Sequence, residues 1–142
     1  QFENLVERYI CKAGFEKDKN YFKEMYLSDV EEKWNVDLSS LSNKGKTRKR
    51  FDYVVKGNEN IYLIECNFYG GKAGGSKLNE TARSYKMLAE EAKNIPNVKF
   101  VWFTDGTAWH SARNNLRETF EILEDMYNIS DMDNDIMVRL FK

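Results

Sequence analysis

The 142-residue sequence contains one proline, one histidine, two cysteines and eight glycines. Each shortage excludes a class. So little proline and glycine rules out collagen-like and linker sequence. Cys11 and Cys66 are too few for a disulfide framework, which makes a reducing cytoplasm the expected compartment. His110 alone does not make a histidine-rich zinc site. No apolar run approaches the ~20 residues that span a bilayer, and no stretch reads as a secretion signal, so no membrane association is expected. Charge of one sign is also missing: 22 Lys and Arg face 23 Asp and Glu, a net charge of −1. Attraction to a polyanion must therefore come from local clustering.

What is present is a foldable domain. Hydrophobic residues make up 42% and aromatics 14%, too many for a disordered chain, and the length suits a single domain with a sizeable core. Charge does cluster. Residues 44–50 read K-G-K-T-R-K-R, with Lys44, Lys46, Arg48, Lys49 and Arg50 and no acidic residue. Such a run is ordinarily a solvated loop. Here it leads straight into the segment that carries the candidate chemistry, where a basic approach suits a phosphate-bearing substrate.

Phe2, Leu5, Val6, Tyr9, Ile10 and Ala13 predict a helix that stops at Gly14. A less regular helical region follows, in which Ser28 and Glu31 form a capping box and Val30 and Trp34 share a face. A loop marked by Ser39, Ser40, Ser42, Asn43 and Gly45 comes next. Residues 51–55 and 61–69 predict a hairpin around the turn Gly57-Asn58-Glu59-Asn60. After the glycine-rich loop 70–75, Ser76 can cap a helix with the stripe Leu78, Ala82, Tyr85, Ala89 and Ala92, closed by Pro96. The glycine loop lacks phosphate-binding-loop spacing. Its glycines let the chain turn sharply and bring backbone amides close to a phosphate, and Lys72 lies within it. Val98–Thr104 predicts a buried strand, Asp105-Gly106 a turn, and Leu116, Phe120, Leu123 and Tyr127 a last helix, with Asp131, Asp133 and Asp135 beyond it. The order describes an α/β domain with a mixed sheet flanked by helices.

Two carboxylates stand out. Asp52 lies among Phe51, Tyr53, Val54 and Val55, and Glu65 follows Leu63 and Ile64. Ionised groups in such apolar strands need compensation. Singly, each reads more simply as an ion-paired or edge residue. Together, with twelve residues between them across a hairpin, they suit one hard divalent cation such as Mg²⁺, which takes one or two carboxylates, water and substrate phosphate. Alternation along the strand puts Glu65 and Asn67 on one face and Cys66 on the other. The implied reaction is phosphodiester hydrolysis.

Asp52…Glu65-x-Asn67 resembles the active-site motif of the PD-(D/E)XK nuclease superfamily, with Asn67 where lysine is usual. More narrowly, R-F-D-Y-V-V, Y-L-I-E-C-N-F-Y, G-G-S-K-L-N-E-T-A-R-S-Y-K and F-V-W-F-T-D-G-T-A-W-H-S-A-R-N-N-L resemble the DpnII/MboI family of type II restriction endonucleases, over roughly residues 36–130. The resemblance implies a restriction-endonuclease-like αβββαβ core and Mg²⁺-dependent cleavage of double-stranded DNA at GATC, leaving 5′-phosphate and 3′-hydroxyl ends. Family members are longer, so the chain is expected to be a single catalytic domain from the C-terminal part of a longer protein. A palindromic target favours a homodimer.

Carried onto this sequence, the resemblance implies Asp52 and Glu65 as metal ligands, with the Cys66 carbonyl as a third oxygen. Asn67 can orient water but carries no charge and is no general base. Lys77 is the first candidate to replace the usual lysine, and Lys72 the second. Arg50, Lys46 and Arg48 in the basic run, with Lys72, Arg83, Arg113 and Asn114, are the candidate DNA contacts. Arg113 and Asn114 follow Trp109 and His110 in a polar, loop-like segment suited to reading guanine and adenine. Two other functions remain open: a PD-(D/E)XK-like domain that binds DNA without cutting it, and a repair nuclease with little sequence preference.

Overall fold

The structure, a computed structural model, describes residues 1–41, 49–71, 74–112 and 117–142, the side chains of residues 74 and 118 excepted. The chain begins with helix α1 (Phe2–Lys12), which ends at Ala13 with Gly14 in a positive-φ conformation, where the sequence places the stop. Strand β1 (Tyr21–Tyr26) and helix α2 (Leu27–Trp34) come next. Strands β2 (Arg50–Lys56) and β3 (Ile61–Phe68) form the expected hairpin, whose turn closes through a bond from the Gly57 N–H to the Asn60 carbonyl. Helix α3 (Gly74–Ala92) crosses to β4 (Val98–Asp105). Short elements complete the chain: α4 (Ala108–Ala112), α5 (Arg117–Ile122), β5 (Met126–Tyr127), α6 (Ile129–Asp133) and α7 (Ile136–Leu140).

The five strands pair in chain order. β1, β2 and β3 are antiparallel neighbours, whereas β3–β4 and β4–β5 are parallel. The sheet is therefore mixed, and α1-β1-(α2)-β2-β3-α3-β4 is the implied αβββαβ order with one helix inserted. β3 lies at its centre, and residues 61–66 are buried without a break. That pattern belongs to a strand covered on both faces. One face packs Leu63, Phe100 and Trp102 against Leu78, Ala82 and Tyr85 of α3. The other packs Ile64, Val101 and Phe103 against Val6 and Ile10 of α1 and Met132 and Met137 of α6 and α7.

Four local expectations fail, each for a visible reason. Residues 21–26 form a strand, not a helix, because Y-F-K-E-M-Y pairs its backbone with β2 and shows its charged middle at the sheet edge. Ser28 lies inside α2, which starts at Leu27 with Tyr26 as N-cap, so there is no capping box; the Leu27 N–H instead reaches the Lys49 carbonyl at 2.8 Å. Ser76 lies within α3, not at its cap, since the helix opens at Gly74. The last helix is shorter than its stripe, with Tyr127 in β5, and two of the final acidic residues are structural. Asp131 completes a capping box with Asn128, and Asp133 accepts the Tyr9 hydroxyl of α1.

The turn after β4 depends on one glycine. Gly106 has φ 123°, and an added Cβ would lie 2.0 Å from the Tyr69 carbonyl oxygen, which already accepts the Ala108 N–H. The Tyr69 N–H in turn bonds the Asp105 carbonyl at 2.8 Å. Gly106→Ala is thus expected to lower unfolding free energy by about 2–3 kcal/mol, as strain at positive φ adds to the steric clash. Urea denaturation measures it.

Candidate active site

The β2–β3 ladder ends at Tyr53↔Ile64, so Asp52 and Glu65 are the next residues to face each other. Their side chains take over where the ladder stops. The Asp52 N–H donates to Glu65 Oε1 at 3.0 Å, and the Cys66 N–H donates to Asp52 Oδ2 at 2.8 Å. On its other side, Asp52 faces Glu24, which lies between the pairs Lys23↔Tyr53 and Met25↔Phe51 and has φ 52°. Phe51 packs in one core layer and Tyr53 in the other, although alternate residues of a regular strand share a face. The strand therefore twists through Asp52, and the two carboxylates meet across the opening.

Each carboxylate has a different environment. Glu65 is buried, and its Oε2 accepts two bonds: Lys49 Nζ at 2.9 Å and the Tyr85 hydroxyl at 2.8 Å. Asp52 is only half-buried. Desolvation, then repulsion from Glu65, push its carboxyl up to about 7 from the usual 3.8, against the Cys66 N–H bond. Burial raises the Tyr85 hydroxyl far above its ordinary value, with the negative charge of Glu65 adding to the shift, so Tyr85 stays a donor.

This donor set fits a hard divalent cation. Two oxygen-only side chains lie close enough for one to raise the other's proton affinity, a repulsion that a bound cation relieves. Among the described residues no three His, Cys, Asp or Glu side chains cluster as a metal site. The side chains thus offer two ligands, leaving backbone carbonyl, water and substrate to complete the sphere.

The remaining candidates fall in different places. Asn67 shares the face of Glu65, and its Oδ1 accepts the Trp102 indole N–H at 2.9 Å. The Cys66 thiol is buried in the opposite core layer, and burial pushes its pKa well up, as suits an inert thiol. Lys77 is exposed on the first turn of α3, Arg83 is exposed farther along it, and Arg50 is exposed 3.8 Å from Glu24. Lys46, Arg48, Lys72, Arg113 and Asn114 lie outside the described residues. The segment expected to be a polar recognition loop is helical over 108–112, and its Trp109 packs against Trp102 and Phe120 while bonding Thr104.

The cation beside Glu65 is Lys49. In the sequence it is one of five cations in the basic run, with nothing in its residue type to separate it from its neighbours. The available signal was its place three residues before Asp52, next to the start of β2. Tyr85 was similarly absorbed into the α3 stripe, where only its hydroxyl marks it. A groove of about 890 Å³ runs between the start of α1 and the end of β3, lined in part by Phe2, Glu3, Asn67 and the exposed Phe68 but by neither Asp52 nor Glu65.

Comparison with known proteins converges on one family. The family profile described as DpnII restriction endonuclease matches residues 1–139. The chain is 54% identical to the type II restriction enzyme DpnII of Streptococcus pneumoniae over 97% of its own length and 47% of that relative's. It is 41% identical to MjaIII of Methanocaldococcus jannaschii over 83% of the chain and 40% of the relative. With MboI of Moraxella bovis it shares 38% identity over 73% of the chain and 35% of the relative. The chain thus spans less than half the length of these curated relatives. No solved structure matches it.

Proposed function

Because the chain belongs to the DpnII restriction endonuclease family, we propose that it is the catalytic domain of a longer type II restriction endonuclease that hydrolyses double-stranded DNA at GATC with Mg²⁺. The observation that carries this reading is the Asp52–Glu65 pair, facing each other where the hairpin ladder opens. The relatives' shared description as type II restriction enzymes supports the reaction class. No helix among the described residues is long and apolar enough to cross a membrane.

Asp52 and Glu65 would hold the cation. When bound, Mg²⁺ polarises a phosphoryl oxygen, lowers the pKa of water and stabilises charge on the departing oxygen. Tyr85 fixes the Glu65 carboxylate from the α3 side, and Asn67, tied to Trp102, presents its amide nitrogen on the same face. Water oxygen bonds to phosphorus, the bond to the 3′ oxygen breaks, and that oxygen takes a proton to give 5′-phosphate and 3′-hydroxyl ends. Arg50 and Arg83, both exposed, are the described cations that contact the DNA backbone. Two copies related by a two-fold axis place one site on each strand of the palindrome. The compartment is the cytoplasm.

The test uses the full-length protein on a defined duplex with Mg²⁺. Wild type is expected to cut at GATC with 5′-phosphate ends and Glu65→Ala to bind without cutting, a loss of about 10³-fold. Wild-type protein that shifts the duplex but leaves it intact would identify a DNA-binding module instead. Cuts scattered along the duplex would identify a nonspecific nuclease.

A further inference from the structure

Position 67 is an amide where the resembled motif has a cation, yet among the described residues a positive charge is built into the site. Lys49 Nζ sits 2.9 Å from Glu65 Oε2, with the lysine and glutamate side chains 15% and 8% exposed. The ammonium also lies 5.3 Å from the centre of the Phe51 ring and 5.8 Å from that of Tyr85. An ammonium withdrawn from water this far needs its anion and aromatic neighbours, so it is held in place. The backbone holds it too, since the Lys49 carbonyl accepts the Leu27 N–H that opens α2. Among the described residues it is the only cation in an ion pair with either site carboxylate.

We propose that Lys49 supplies the positive charge missing at Asn67: it neutralises Glu65 in the metal-free protein and contacts the scissile phosphate once a divalent cation binds. The proposal rests on the reading of Asp52 and Glu65 as the cation site. A divalent ion beside Glu65 repels the ammonium and removes its need of that carboxylate, and phosphate is then its nearest strong acceptor. Glu65 keeps its orientation meanwhile, because the Tyr85 hydroxyl and the Asp52 N–H bind it independently of Lys49. Lys49 therefore competes with the metal before DNA arrives and assists the reaction afterwards. Removing it moves two measurable quantities in opposite directions, which a merely structural lysine would not do.

The experiment compares full-length wild type, Lys49→Met, Lys49→Arg and Asp52→Ala. Mn²⁺ binding is followed by electron paramagnetic resonance without DNA, and single-turnover cleavage is timed on a GATC duplex. Lys49→Met is expected to bind Mn²⁺ about tenfold tighter, since a nearby like charge is gone. Its cleavage rate should fall about 100-fold with duplex affinity little changed, and Lys49→Arg should recover most of that loss. Should Lys49→Met not fold, Lys49→Gln takes its place, keeping a donor for Glu65 without the charge. Unchanged or weaker Mn²⁺ binding, or cleavage within about threefold of wild type, overturns the role of Lys49. If Asp52→Ala still cuts, the carboxylate site itself is wrong and both readings fall.

Discussion

Asp52→Asn is expected to abolish cleavage, by about 10³-fold or more, and to make the metal-free protein more stable. The two effects have one origin. On the proposed reading Asp52 serves a cation, and without one its charge is a liability: half-buried and facing Glu65, its carboxyl keeps its proton until about pH 7. The unfolded chain gives up that proton near 3.8. Between these values the native state binds more protons than the unfolded state, so stability falls as pH rises through this window and levels off above it. Asparagine has no proton to lose, while its side-chain oxygen still accepts the Cys66 N–H. The variant's advantage is therefore absent at pH 4 and full by pH 8, where roughly 3–6 °C in melting temperature is expected for a domain of this size. Thermal melts at both pH values, in chelator, measure it. Equal melts at pH 8 would mean that Asp52 carries no such strain. By the same linkage, cation binding below pH 7 displaces a proton, and calorimetry in buffers of different ionisation enthalpy counts it.

The sequence made much of this site legible because its signals are local. Carboxylates in runs of β-branched and aromatic residues are conspicuous, and a four-residue turn between two such runs fixes their antiparallel pairing. The period-two rule correctly puts Asn67 on the face of Glu65, where Trp102 binds it. Cys66 falls on the other face, in the opposite core layer. Less legible were features that depend on distant contacts. β1 has a mixed pattern and becomes a strand only because β2 offers it an edge. The twist through Asp52 leaves no mark in composition. Lys49 reads as one of five adjacent cations, and only tertiary packing turns it inward to Glu65 while Arg50 stays exposed. Trp109 sits in a polar sequence, yet the helical turn at 108–112 packs it, partly buried, against the core.

Trp102 links that core to the chemistry, and Trp102→Ala is expected to cost about 4–5 kcal/mol, at the top of the range for large-to-small changes. The indole is completely buried on β4, beside Glu65 in the parallel register. Tyr85 meets it edge-on at 4.9 Å and Trp109 lies 5.5 Å away. Its N–H binds Asn67. Alanine therefore leaves a cavity, takes the packing partner from the tyrosine that orients Glu65, and frees the amide beside the carboxylates. A loss of that size is a large part of the about 5–15 kcal/mol that stabilises a typical domain. Trp102→Phe separates packing from bonding. It keeps most of the ring volume and the edge contact with Tyr85 but leaves Asn67 Oδ1 without its indole donor, at a cost of about 1–2 kcal/mol. If Asn67 must be held to orient water, Trp102→Phe cuts more slowly than its stability loss explains, and adding Asn67→Ala slows it little further. Additive effects of the two substitutions on the single-turnover rate would show instead that Trp102 and Asn67 act independently.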